Sequence, residues 1–279
     1  MIIAAVVALG LCFGSFVNAL VWRIYEQEKQ SHKKTKTGYT ERLSIAKGRS
    51  MCPNCHHELA AKDLLPVLSW LSLKGKCRYC HKGIAAQYPL VELVTAALFT
   101  ASYYFWPVAL SGWQVGIFGL WLALLIGFMA LLVYDLRWML LPNRIMYPLG
   151  VLAVVQAVIM VTLASRPSTA LLNSVFGVLV GGGLFYILFQ VSEGKWIGGG
   201  DVKLGFLLGL ILAAPERSLL LIFLASVLGS LAALPLVMAK RLKGSSVIPF
   251  GPFLIVSAII VQLFGSNIIN WYQHILLGY

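Results

Sequence analysis

The sequence predicts an all-α polytopic membrane protein, with about eight transmembrane helices and a small cytoplasmic zinc-ribbon-like domain inserted after the first. Three observations carry that prediction. The 279 residues are 59% hydrophobic and only 11% charged, whereas soluble domains carry about a quarter charged residues. Apolar runs recur along the whole length and are continuous; the alternation that a membrane β-barrel needs is absent. Two C-x-x-C pairs stand in the one long polar insertion.

The opening "MIIAAVVALGLCFGSFVNALVW" has no basic n-region and no A-x-A-like site before a soluble domain. It reads as a retained first helix, not a signal peptide. Spans follow at about 2–22, 88–105, 113–134, 145–164, 170–191, 202–214, 218–239 and 247–265. The sixth is short of the roughly 20 residues that cross the hydrocarbon.

The formal charge is +12, and 13 of the 22 Lys and Arg residues fall between Arg23 and Lys82, beside five acids. The positive-inside rule makes that block cytoplasmic. Eight crossings starting outside then place 23–87, 135–144, 192–201 and 240–246 ("KRLK") inside. "FWPVALSG", the segment around Arg166 and "APERS" fall outside, with few cations.

Cys52 and Cys55 ("CPNC") and Cys77 and Cys80 ("CRYC") are separated by 21 residues. Two such knuckles let four thiolates reach one tetrahedral ion, the pattern of a structural zinc site. A reducing cytoplasm favours metal over disulfides, and neighbouring Lys and Arg residues offset the charge of a zinc–thiolate centre. A dithiol redox role is the other chemistry open to these thiols. His56, His57 and His81 flank the knuckles as bystanders, and Cys12 reads as a small packing residue in the first helix. Between the knuckles, "DLLPVLSWLSLKGK" either completes a ribbon core or lies on the membrane surface.

Carboxylates at a membrane boundary are functional candidates by default. Asp135 follows the third span and Asp201 precedes the sixth, so the topology puts both on one side. Asp201 also has a structural reading as a helix N-cap. Asp135 sits near a helix C-terminus, where the macrodipole disfavours it, and Arg137 offers an ion-pair partner. Taken together, two close carboxylates share a proton. One serves as general base on water while the other hydrogen-bonds a substrate carbonyl. Gly198, Gly199 and Gly200 leave room for a peptide backbone to approach Asp201. No G-x-S-x-G, H-E-x-x-H or Walker A motif offers a rival chemistry.

These residues resemble the bacterial prepilin peptidases, membrane aspartic proteases of the GxGD type. "GLCFGSFVNALVWR" is similar to the family's first helix. "CPNC…DLLPVLSWLSLKGKCRYC" with "QYPLVELVTAALF" resembles its zinc loop and second helix. "YDLRWMLLPNRI" and "GGGDVKL" match the segments of the two catalytic aspartates. The resemblance implies removal of a short basic leader from prepilins or pseudopilins, after a glycine, at the cytoplasmic face of the bacterial inner membrane. Asp135 and Asp201 would be catalytic, and Gly198, Gly199, Gly200 and Lys203 would form the substrate-approach loop. Many members also methylate the new N-terminus with S-adenosylmethionine.

The implied domains are 1–22 (first helix), 23–87 (basic zinc-binding domain) and 88–279 (transmembrane peptidase). Asn143 replaces an Asp common in relatives and reads as the cap of the helix that follows it. Glu92, polar at the start of a span, bears on one of the two activities or anchors its helix. The expected partners are prepilin-type substrates and membrane lipid, without nucleic acid. Two other classes remain. A membrane-anchored zinc-ribbon module would bind nucleic acid or anionic lipid. A proton or cation relay ranks lower, because both acids lie at one face rather than at the midplane.

Overall fold

The structure, a computed structural model, describes residues 1–32, 43–45, 48–238 and 248–278. Among these the secondary structure is helical: α1 (Ile2–His32), a 3-10 turn at Ala61–Asp63, α2 (Leu68–Ser72), α3 (Gln87–Tyr104), α4 (Trp113–Trp138), α5 (Asn143–Thr162), α6 (Pro167–Val191), α7 (Gly199–Leu212), α8 (Pro215–Met238) and α9 (Gly251–Leu277). The eight long helices follow the eight predicted apolar runs. The "KRLK" segment at 240–246 lies outside the described residues.

Among the described residues six helices, α1, α4, α5, α6, α8 and α9, are long and apolar enough to cross a membrane. The chain is a multi-pass membrane protein. The sixth predicted span is α7, with 14 residues; at 1.5 Å per residue it is about 21 Å long, less than the roughly 30 Å of hydrocarbon. The first helix continues past its apolar run to His32.

The chain divides into two compact units: residues 1–104 with 125–133, and 105–124 with 134–279. In the first, α1 packs on α3 through glycines. A Cβ at Gly10 or Gly14 would stand 2.5 Å from the Cα of Ala96 or Glu92, so only glycine permits this approach. Lipid offers no hydrophobic drive for association, and small residues let helices gain contact by coming close. Arg23, the first cation of the basic block, is 6% exposed. Its guanidinium donates to the carbonyls of Ser44, Ile45 and Gly48 at 2.9–3.3 Å. The apolar segment between the knuckles builds no core of its own: Leu64, Leu65, Leu68 and Leu71 are exposed. Trp70 is tied back by its indole N–H to Ile84 O at 3.1 Å.

In the second unit α6 and α7 meet through Gly177, Gly181, Gly205 and Gly209. A Cβ at Gly205 would lie 2.5 Å from Gly181 O, and one at Gly181 would lie 2.9 Å from Gly205 O. The Ser218 hydroxyl donates to Gly177 O at 2.9 Å. This backbone-to-backbone contact fixes α7, whose first turn carries Asp201.

Candidate functional site

Asp135 lies in the last turn of α4, whose left-handed C-cap Met139 returns its N–H to Asp135 O at 2.8 Å. A carboxylate there faces the negative end of its own helix. The compensation comes from elsewhere in the fold. The Gly251 backbone N–H, at the start of α9, donates to the Asp135 carboxylate. The positive end of α9 thus offsets the negative end of α4. Asp135 is 4% exposed, and Gly251 is required for the contact, since a Cβ there would lie 2.5 Å from Asp135 Oδ2. Among the described residues no ion pair joins Asp135 to Arg137; the Arg137 guanidinium instead lies 4.9 Å from the centre of the Trp138 ring.

Asp201 is not the N-cap of its helix. The cap is Gly198, in extended conformation, and Asp201 occupies the third helical position. Its carboxylate accepts the Gly198 N–H, the returning half of a capping box. Gly199 and Gly200 are therefore helical, not loop. A Cβ at Gly200 would stand 3.2 Å from Leu141 Cδ1, so this glycine admits the side chain of the segment after α4.

The two carboxylates, 66 positions apart by their numbers, come within electrostatic range of one another. Each is held by a backbone N–H at the start of a helix, α9 for Asp135 and α7 for Asp201. Two carboxylates that feel one another's charge titrate as a pair, so one can keep its proton while the other acts on a water.

Asn143 also departs from its predicted role. It is the first residue of α5, the N-cap is Pro142, and no side chain caps the helix. Its Oδ1 accepts from Lys203 Nζ at 3.0 Å. A lysine amine and an amide oxygen satisfy each other across two helix starts, which nothing in the local sequence of either announces. The residue that sequence reasoning missed is Gly251. Its available signal was "PFGP", a glycine between prolines at the start of the last span.

The cysteines converge as their spacing implies. The Sγ atoms of Cys52, Cys55, Cys77 and Cys80 lie within 4.8 Å of one another, and Cys52 and Cys80 are 3.9 Å apart. Four sulfurs about 2.3 Å from a central ion have edges of about 3.8 Å, so the cluster is positioned to bind a metal. The knuckles are near copies. His56 N–H returns to Cys52 O at 2.9 Å and His81 N–H to Cys77 O at 3.0 Å. Both histidines have φ near +57°, so their role is to turn the chain. His57 stacks on Tyr79 with ring centres 3.7 Å apart.

Burial pushes the Cys52 thiol up to about 12. Burial also acts upward on Cys77, but the Cys80 and Tyr79 N–H groups and the Cys52 and Cys80 thiols outweigh it and bring Cys77 down to about 7. Asp63 braces the second knuckle, accepting Arg78 Nε at 2.7 Å and the Tyr79 hydroxyl at 3.1 Å.

A membrane protein, helical among the described residues, with a carboxylate pair at helix ends and a four-cysteine metal site is the class that these features define. Residues 8–106 match the bacterial peptidase A24 N-terminal domain, and residues 122–234 match the type IV leader peptidase family. The chain is 33% identical to a prepilin leader peptidase/N-methyltransferase of Aeromonas salmonicida, covering 96% of this chain and 92% of the relative. It is 33% identical to the protein of that name from Bacillus subtilis, over 85% and 90% of the two chains. It is 31% identical to that from Pseudomonas aeruginosa, over 95% and 91%. The chain belongs to the type IV leader peptidase family. No solved structure matches it.

Proposed function

We propose that this chain is a membrane aspartic endopeptidase that removes the basic leader from prepilins or pseudopilins, cutting after glycine, and that it also methylates the new N-terminus. The observation that carries the peptidase reading is the convergence of Asp135 and Asp201 in a member of this family. In this reading one carboxylate takes a proton from water, which attacks the scissile carbonyl. The other hydrogen-bonds the carbonyl oxygen, and the leaving amine receives the shared proton. The N–H groups of Gly251 and Gly198 orient the two acids, and Lys203 with Gly198, Gly199 and Gly200 borders the approach to Asp201.

Residues 88–279 form the peptidase domain and residues 23–87 the metal domain. The four cysteines would hold zinc, whose chemistry there is cross-linking the two knuckles. The N-terminus lies outside and both sites act at the cytoplasmic face of the bacterial inner membrane. Partners are prepilin-type substrates and lipid, and the exposed Leu64, Leu65, Leu68 and Leu71 support the membrane-surface reading of their segment over the ribbon-core one.

The test is leader removal from a prepilin in membranes carrying wild-type, Asp135→Asn or Asp201→Asn protein. A correctly inserted Asp201→Asn protein that cleaves at the wild-type rate would overturn the assignment.

A further inference from the structure

The first unit contains a cavity of about 130 Å³, partly open to solvent, that the carboxylate chemistry does not use. Trp22, Trp70 and Tyr88 contribute aromatic walls, and Ser15, Asn18 and Glu92 contribute polar ones. A void of about 150 Å³ holds a benzene ring, so the enclosed part suits one flat ring system, with the rest of a ligand leaving through the open side.

Two polar groups in its wall are incompletely satisfied. Asn18 is 4% exposed; its Nδ2 donates to Tyr88 O at 3.0 Å, but its Oδ1 has no partner. A buried acceptor left without a partner is costly, so a donor supplied by a ligand would be favoured there. Glu92 is 7% exposed. Its Oε2 accepts the Val67 N–H at 2.7 Å, and Ser15 bonds to it as well. Among the described residues no cation forms an ion pair with Glu92, although a buried charge normally needs one. Val67 holds φ 61° and ψ −51°, a conformation unfavourable for a β-branched residue. The cations that do line the cavity are engaged elsewhere: Arg23 with three carbonyls and Arg78 with Asp63. The space is thus aromatic, with an open acceptor at Asn18 Oδ1 and a carboxyl at Glu92 that no cation pairs among the described residues, which suits a cationic ligand bearing an amino-substituted ring.

The geometry points to this cavity as the binding site for the methyl donor S-adenosylmethionine, with Trp22, Trp70 and Tyr88 enclosing its ring, Asn18 Oδ1 accepting from an amino group and Glu92 balancing its positive charge. This rests on the methyltransferase part of the proposed function. Bound there, the donor supplies a methyl group on a cationic sulfur. The substrate amine's lone pair forms the N–C bond, the C–S electron pair stays on sulfur, and the surplus proton leaves to water.

The test uses the purified full-length, zinc-loaded chain in detergent. Binding of radiolabelled S-adenosylmethionine is measured by equilibrium dialysis, and the donor is photo-cross-linked and its peptides mapped. Wild type should bind, and label should fall on peptides containing Trp22, Trp70 or Tyr88. Asn18→Leu and Glu92→Gln should each weaken binding at least tenfold while metal content and elution volume stay as in wild type. Wild type should also prefer the cationic donor over its neutral product, S-adenosylhomocysteine, and Glu92→Gln should narrow that preference. Label confined to residues 105–279, or unchanged affinity in both variants, would overturn the site and leave methylation standing. A wild-type protein that neither binds nor cross-links the donor would instead overturn the methyltransferase reading, and this site with it.

Discussion

The carboxylate site and the cysteine site solve the problem of holding negative charge in opposite ways. The cysteines do it locally. Each knuckle is a short turn closed by its own backbone bonds, from His56 to Cys52 and from His81 to Cys77, and only the pairing of the knuckles is long-range. The aspartates rely on distant backbone. Asp135 is held by an N–H of α9, and Asp201 rides on α7, which is placed by glycine contacts with α6. A site built from adjacent residues survives small changes around it; one built from helix ends depends on how those helices pack.

Substitution separates the two. Asp135→Asn and Asp201→Asn should each lower leader cleavage by about 10³-fold or more while insertion and metal content stay as in wild type. The double variant should be no worse than either single one, because residues acting as a unit are not additive. Additive losses in a prepilin cleavage assay would show the acids acting separately.

Gly251→Ala comes next. Its added Cβ would sit 2.5 Å from Asp135 Oδ2, so the carboxylate or the start of α9 must shift. Displacements of this order cost about 10²-fold in rate, and metal content should not change. Cleavage near the wild-type rate would mean that Asp135 does not depend on α9.

On the cysteine side, Cys52→Ser or Cys77→Ser should remove the metal and lower thermal stability, whereas His56→Gly and His81→Gly should retain it, since glycine suits the left-handed turn. Metal analysis of the purified variants decides; loss of metal in the histidine variants would make them ligands. The pH dependence has a fixed sign. Ligand thiols bind metal as thiolates and release protons. With Cys77 at about 7, uptake should weaken as pH falls through that value and strengthen above it. Titration with a chelator at several pH values checks this.

The smallest effect is expected at Asn143. Asn143→Asp would replace an amide acceptor for Lys203 with a charged one at an exposed site, worth about 0–1 kcal/mol. Cleavage should stay within about twofold of wild type. A large change would give the Asn143–Lys203 contact a part in the chemistry.

Composition and run length determined the helical membrane class, since lipid demands internally bonded backbone and only long apolar segments satisfy it. Spacing determined the metal site, because a C-x-x-C turn brings two sulfurs together whatever lies around it. Residue type and position marked Asp135 and Asp201 as candidates. Other features belong to the tertiary structure. Asp201 sits inside its helix, with Gly198 as the cap. Asn143 meets Lys203 60 positions away, and Arg23 is buried on carbonyls of another segment. The Asp135 carboxylate rests on Gly251, more than 100 residues later in the chain. The Asn143–Lys203 and Asp135–Gly251 contacts depend on which helix end lies beside which. That is set by the close approach of glycine-lined helices, and pairing across such distances leaves no periodic trace in a single sequence.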